Sequence, residues 1–235
     1  MQPSLFYKAK EDNRPLLVGL HTWSFDRYNQ IENMLPVAEM YDFNLLLPEF
    51  RGPNLETNEK CTEACGSELS KTDVIDAINY VVKEYNVDAE NIFVLGLSGG
   101  GYMALMLCSV VPKMFRAVGA YVPITDLGKW ARENPNYRKH VLACCSGDED
   151  EMRRRSPIAY VEKISKANLK IFHGKQDNVV PFTHSLNLYS KIHEYNPNSR
   201  VYLDIFDGGH EIEMDVAMRW ILSQYQGREK TTVTG

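Results

Sequence analysis

The sequence predicts an α/β fold, a mostly parallel sheet with helices on both faces. Three observations carry this. Short apolar runs bounded by Gly, Pro or Asn recur along the chain. Stretches with helical spacing separate them, and a glycine-flanked serine, Ser98, stands between one such run and one such stretch. Short runs of this kind read as buried strands. Strand–helix–strand alternation then implies right-handed crossovers within a parallel sheet.

Taken in order, the opening SLFYKAK alternates in character and predicts an antiparallel edge strand. Leu16 to Leu20 follows Pro15 as the first parallel strand, and Phe43 to Leu47 is ended by Pro48. Asn91 to Leu97, Ala117 to Val122, Leu169 to Phe172 and Val201 to Phe206 complete the set. Val74, Ala77, Ile78, Val81, Val82 and Tyr85 fall at helical spacing, with Thr72-Asp73 as the cap. Leu188, Ile192 and Tyr195 repeat the pattern after Pro181. Ile212, Val216 and Trp220 do so near the C-terminus, with Glu211 and Glu213 suited to a helix N-terminus. Residues 126–160 are the least regular and are expected to form a small insert over one sheet end. No repeat interrupts the pattern, so one domain over residues 1–235 is expected.

Composition sets limits. At 44% hydrophobic and 24% charged, the 235 residues are neither disordered nor collagen-like. A net charge of -5, with Arg153-Arg154-Arg155 as the one basic run, argues against nucleic acid as a partner. No stretch is long and apolar enough for a membrane, and MQPSLFYKAKEDN holds no signal-peptide core. The expectation is a cytoplasmic protein, unless a leader has been removed. Five cysteines with no regular framework argue against a disulfide scaffold, and Cys61 and Cys65 are left open as paired or free. No histidine pair or second cysteine pair has metal-ligand spacing, so neither a metal nor any other cofactor is expected.

The chemistry starts at Gly96-Leu97-Ser98-Gly99-Gly100, which matches G-x-S-x-G between the strand NIFVL and the apolar helix YMALMLCSVV. A serine at a sharp strand-to-helix turn needs nearly side-chain-free neighbours two places away on each side, and Gly96 and Gly100 supply them. Gly99, Gly101 and Ala104 also spell a dinucleotide fingerprint, but no acid ends the next strand. A phosphate loop is excluded by Tyr102 where Lys is required. Serine needs a histidine base held by a carboxylate, in chain order Ser, Asp or Glu, His. Asp177, after the strand LKIF, and His210, after VYLDIF, stand at strand ends on the edge that presents Ser98. Asp207 is the second candidate for the carboxylate. The acidic run Asp148 to Glu151 reads as a solvated face, His184 and His193 as helix residues, and His173 as shaping the Asp177 loop. An oxyanion hole is expected from the backbone N–H of Gly99 and of Trp23, with Thr22 as the neighbour it could be confused with. Trp23, Tyr121 and Trp130 are candidates for an apolar acyl pocket, with ordinary packing as the other reading.

From about Pro15 to Tyr225 the chain resembles a compact α/β-hydrolase. Within that superfamily it is similar to the catalytic domain of the prolyl oligopeptidase family, through GLSGGG, Ser156-Pro157, HGKQDNVVP and GGH. The resemblance implies Ser98, Asp177 and His210 as catalytic triad. It departs in two ways: the β-propeller that restricts oligopeptidases to peptides is not found here, and Thr22 stands where relatives often have glycine. Because lone catalytic domains of this sort are commonly esterases, the resemblance implies a serine esterase for a small-molecule carboxylic ester, such as an acetyl or feruloyl ester of a carbohydrate. A prolyl oligopeptidase-like peptidase and a non-catalytic binding module are the alternatives.

Overall fold

A computed structural model of the protein describes residues 2–225. Its seven strands are β1 (Ser4–Tyr7), β2 (Arg14–Leu20), β3 (Asn44–Pro48), β4 (Val87–Leu97), β5 (Ala117–Tyr121), β6 (Leu169–Gly174) and β7 (Val201–Phe206). They form one sheet in the order β1-β3-β2-β4-β5-β6-β7. Only β1 runs antiparallel, against β3; every other neighbour is parallel. This is the expected α/β-hydrolase arrangement, with the edge strand where the alternation of SLFYKAK puts it.

The sheet has two cores because side chains alternate along each strand. Leu16, Val18 and Leu20 of β2 face one layer, formed by α2 (Glu68–Glu84), α3 (Gly99–Cys108) and α8 (Thr183–Tyr195). Leu17 faces the other, where Met34 and Ala38 of α1 (Ile31–Tyr41) and Ala217, Met218 and Ile221 of α9 (Met214–Gln224) pack. Helix α3 is buried along its whole length, as an all-apolar helix under a crossover must be.

Two boundaries differ from expectation. Helix α2 starts before Thr72, because Ser67 Oγ accepts the Ser70 N–H (3.1 Å) and caps it there. Asp73 is inside the helix and instead binds Arg51 (2.6 Å). Strand β4 starts at Val87, and its pairing to β2 slips between Pro15 and Leu16. The insert holds α4 (Leu127–Glu133), α5 (Pro135–Cys144) and α6 (Glu149–Arg154), with the short α7 (Val161–Ile164) beyond it. Asp126, Asn134 and Asp148 cap the first three through their side chains. The five cysteines are buried as free thiols. No helix among the described residues is long and apolar enough to cross a membrane.

Candidate active site

Strand β4 delivers Ser98 to the sheet edge with φ 56° and ψ -115°, outside the ordinary wells for a side-chain-bearing residue. Such a conformation costs on the order of 1–3 kcal/mol and persists only where the surroundings enforce it. Here Ser98 N–H donates to Tyr121 O of β5 (2.9 Å), and Ser98 O accepts the Tyr102 N–H as α3 begins (2.8 Å). Strand, turn and helix are thereby locked together beneath the hydroxyl.

The loops after β6 and β7 bring the other two groups. His210 Nε2 lies 2.8 Å from Ser98 Oγ, and His210 Nδ1 lies 2.7 Å from Asp177 Oδ2. A carboxylate only accepts, so Nδ1 carries the proton and Nε2 is free to take the serine proton. The loops fit because Gly174 has no side chain: a β-carbon there would lie 2.1 Å from Gly209 O.

Asp177 is fully buried at its carboxylate. Burial alone would push that carboxyl up. Hydrogen bonds from His173 and His210 and from the Val180 N–H outweigh it and hold it well below the usual carboxylate range. Oδ1 accepts the N–H groups of Val179 (2.8 Å) and Val180 (2.9 Å). His173 Nε2–H donates to Val180 O (2.8 Å), and its Nδ1 accepts from Ser185 (2.7 Å). His173 therefore braces the Asp177 loop. The second carboxylate candidate, Asp207, is exposed and accepts from Gln176 Nε2 (2.8 Å) on the loop surface. His184 and His193 are spent elsewhere, on Glu133 (3.0 Å) and on Val201 O (2.9 Å).

Above Ser98, the loop after β2 comes within touching distance of α3. A β-carbon at Gly99 would lie 2.4 Å from Trp23 N. The Thr22 N–H is taken by Asn29 Oδ1 (3.0 Å), whereas among the described residues the Trp23 N–H has no acceptor. Of the two neighbours, Trp23 is the one with a donor to offer. Its own carbonyl accepts the Asn54 N–H (2.8 Å), which fixes the loop.

The expected acyl pocket is not formed by its three aromatics. Trp23, Trp130 and Tyr121 are 2%, 1% and 0% exposed. They also lie on opposite faces of the sheet: Trp23 and Trp130 meet edge to face at 4.9 Å in one core, and Tyr121 stacks on Phe172 at 4.2 Å in the other. Large aromatics beside the sheet are pulled into the cores they close. Phe25 and Tyr28, further along the Trp23 loop, are instead exposed at 58% and 53%. Among the described residues no group of three or more His, Cys, Asp or Glu side chains is arranged to hold a metal ion.

Residues 61–226 match the prolyl oligopeptidase family. Acylamino-acid-releasing enzyme 1 of Oryza sativa subsp. japonica is 26% identical over 217 residues, covering 84% of this chain and 28% of that protein. Feruloyl esterase B of Neurospora crassa is 24% identical over 153 residues, 61% of this chain and 51% of that protein. The chain thus spans under a third of the first relative's length and about half of the second's. Among solved structures, Pyrococcus horikoshii acylaminoacyl peptidase shares the fold with a TM-score of 0.73 at 18% identity, over 97% of this chain and 40% of that one.

Proposed function

Because the chain belongs to the prolyl oligopeptidase family of serine hydrolases, we propose that it is an esterase of that family, cleaving carboxylic esters through an acyl-enzyme on Ser98. The observation that carries this is the unbroken hydrogen-bonded line from Asp177 through His210 to Ser98. A non-catalytic binding module has no use for it. His210 Nε2 takes the Ser98 proton as Oγ attacks the ester carbonyl carbon. The oxyanion that develops is held by the N–H groups of Gly99 and Trp23. The carbon–oxygen bond to the alcohol breaks as His210 returns the proton to it. Water then attacks the acyl-enzyme by the same route and releases the acid. Throughout, Asp177 keeps the imidazole in the tautomer that can accept from serine and stabilises the imidazolium.

Several considerations support esters over peptides. An ester's alkoxide leaves more readily than an amine, so less of the site must be devoted to the leaving group. Three of the four acids in the run Asp148 to Glu151 are already engaged, which leaves them poorly placed to grip a peptide amine: Asp148 caps α6, Asp150 pairs with Arg153 (3.1 Å), and Glu151 pairs with Arg154 (2.8 Å) and Arg155 (2.6 Å). Phe25 and Tyr28 offer stacking surface on the Trp23 loop, which suits aromatic acyl groups or sugar rings. The likeness to feruloyl esterase B supports the same class. The likeness to acylamino-acid-releasing enzyme 1 favours the second reading, a serine peptidase. Comparing kcat/KM on feruloyl and acetyl sugar esters with that on prolyl and N-acylated peptide anilides tests the choice. Faster cleavage of the anilides would replace the esterase reading with the peptidase one.

A further inference from the structure

The peptide group between Val179 and Val180 is held at both ends. Its carbonyl oxygen accepts the indole Nε1–H of Trp130 (2.8 Å) and the Nδ2–H of Asn134 (3.0 Å). Its N–H donates to Asp177 Oδ1 (2.9 Å). Hydrogen bonds at the two ends of one amide reinforce each other, because donors at the oxygen polarise the group and make its N–H a better donor. Trp130 and Asn134 are themselves fixed. The indole is stacked on Tyr137 at 4.7 Å, and Asn134 caps α5 by accepting the Asn136 N–H (3.2 Å). Neither the function proposed above nor the acyl-pocket expectation for Trp130 gives these bonds a purpose.

We propose that Trp130 and Asn134 are positioning residues for the Asp177 carboxylate, acting through the Val179–Val180 peptide and so on His210. This inference rests on the acyl-transfer reading. Bonds at Val179 O draw carboxylate charge toward Oδ1 and set the direction in which Oδ2 meets His210 Nδ1. Their loss leaves more charge facing the imidazole and a carboxylate free to swing. The imidazolium is then favoured, so the enzyme needs a higher pH before His210 can act as base. The transition state loses alignment at the same time. Trp130 is 1% exposed, so its side chain makes no contact with substrate.

The test uses the full chain and the pH dependence of fluorophosphonate labelling at Ser98, which requires no knowledge of the natural substrate. Trp130→Phe removes the indole N–H and keeps most of the ring packing. Asn134→Ser removes the amide donor and keeps a good helix cap. Each variant should label about 10-fold more slowly at the plateau, with the acid limb of the profile moved to higher pH. The double variant should fall short of the product of the two losses, since both bonds end on one oxygen. Labelling within about twofold of the wild type, or a slower rate with an unmoved acid limb as general loosening would give, overturns the positioning role. A wild-type protein that fails to label at Ser98 removes the acyl-transfer reading, and the positioning role with it.

Discussion

A β-carbon on Gly96 would lie 2.3 Å from both the carbonyl carbon and the carbonyl oxygen of Gly100. The end of β4 and the first turn of α3 therefore meet backbone to backbone across Ser98, with no room for a methyl group and no flexible side chain to yield. Gly96→Ala should cost on the order of 1–3 kcal/mol of stability, as overpacking in a filled interior does. It should also lower turnover, because the strand and helix can separate only by moving Ser98. Urea denaturation and kcat on one ester check both parts.

The two carboxylates near His210 are expected to behave differently. Asp177→Asn keeps the shape but favours the wrong imidazole tautomer, and should cost roughly 10⁴ in turnover. Asp207→Asn keeps an oxygen that can accept from Gln176 on the loop surface and should leave kcat/KM within about twofold, as a change away from the reacting groups does. A reversed order would make Asp207 the partner of His210.

The Asp177 carboxyl also predicts how stability follows pH. Its folded pKa is depressed, because hydrogen bonds outweigh burial. The unfolded chain then binds the proton first as pH falls through roughly 4, the ordinary carboxylate value. The stabilisation is therefore present above that pH and is lost as pH drops toward the folded pKa. Asp177→Asn lacks this contribution. The difference in Tm between wild type and variant should shrink steadily below about pH 4.

Neighbouring arginines should diverge in the same way. Arg155 donates to Ala64 O (2.9 Å), Thr62 O (2.9 Å) and Glu151 (2.6 Å) from an almost wholly buried position. Arg155→Ala strands those carbonyls and should cost on the order of 1–3 kcal/mol. Arg153 pairs with Asp150 at the surface, and Arg153→Ala should leave Tm unchanged within error. Thermal melts of the two variants side by side decide it.

Phe25 gives a prediction on specificity. If it stacks on an aromatic acyl group or sugar, Phe25→Ala should raise KM for a feruloyl ester by roughly 2- to 10-fold, the value of one aromatic contact. With kcat unchanged, the loss is one of binding shared equally by the ground state and the transition state.

Most of the sheet could be read from sequence because its strands are short, apolar and bounded by breakers, and β7 falls where Val201 to Phe206 was placed. Helix α1 was missed: Pro36 lies inside it and interrupts the pattern. The residues expected in the triad carry strong local signals, glycines around Ser98 and loops at strand ends around Asp177 and His210. The pocket carried none. Whether an aromatic at a strand end turns into the core or toward substrate depends on which sheet face it meets, and that separates Trp23 from Tyr121 only in three dimensions. The bonds from Trp130 and Asn134 to Val179 were illegible for the same reason, since they join segments 49 and 45 residues apart.

Mapping a fluorophosphonate adduct by mass spectrometry on wild type and Ser98→Ala tests whether Ser98 is the nucleophile. A single adduct on Ser98 is expected, disappearing in the variant, together with a fall in ester turnover of on the order of 10⁵–10⁶ and an unchanged fold. An adduct that persists in Ser98→Ala, on Ser146 or Ser185 for example, would contradict that role.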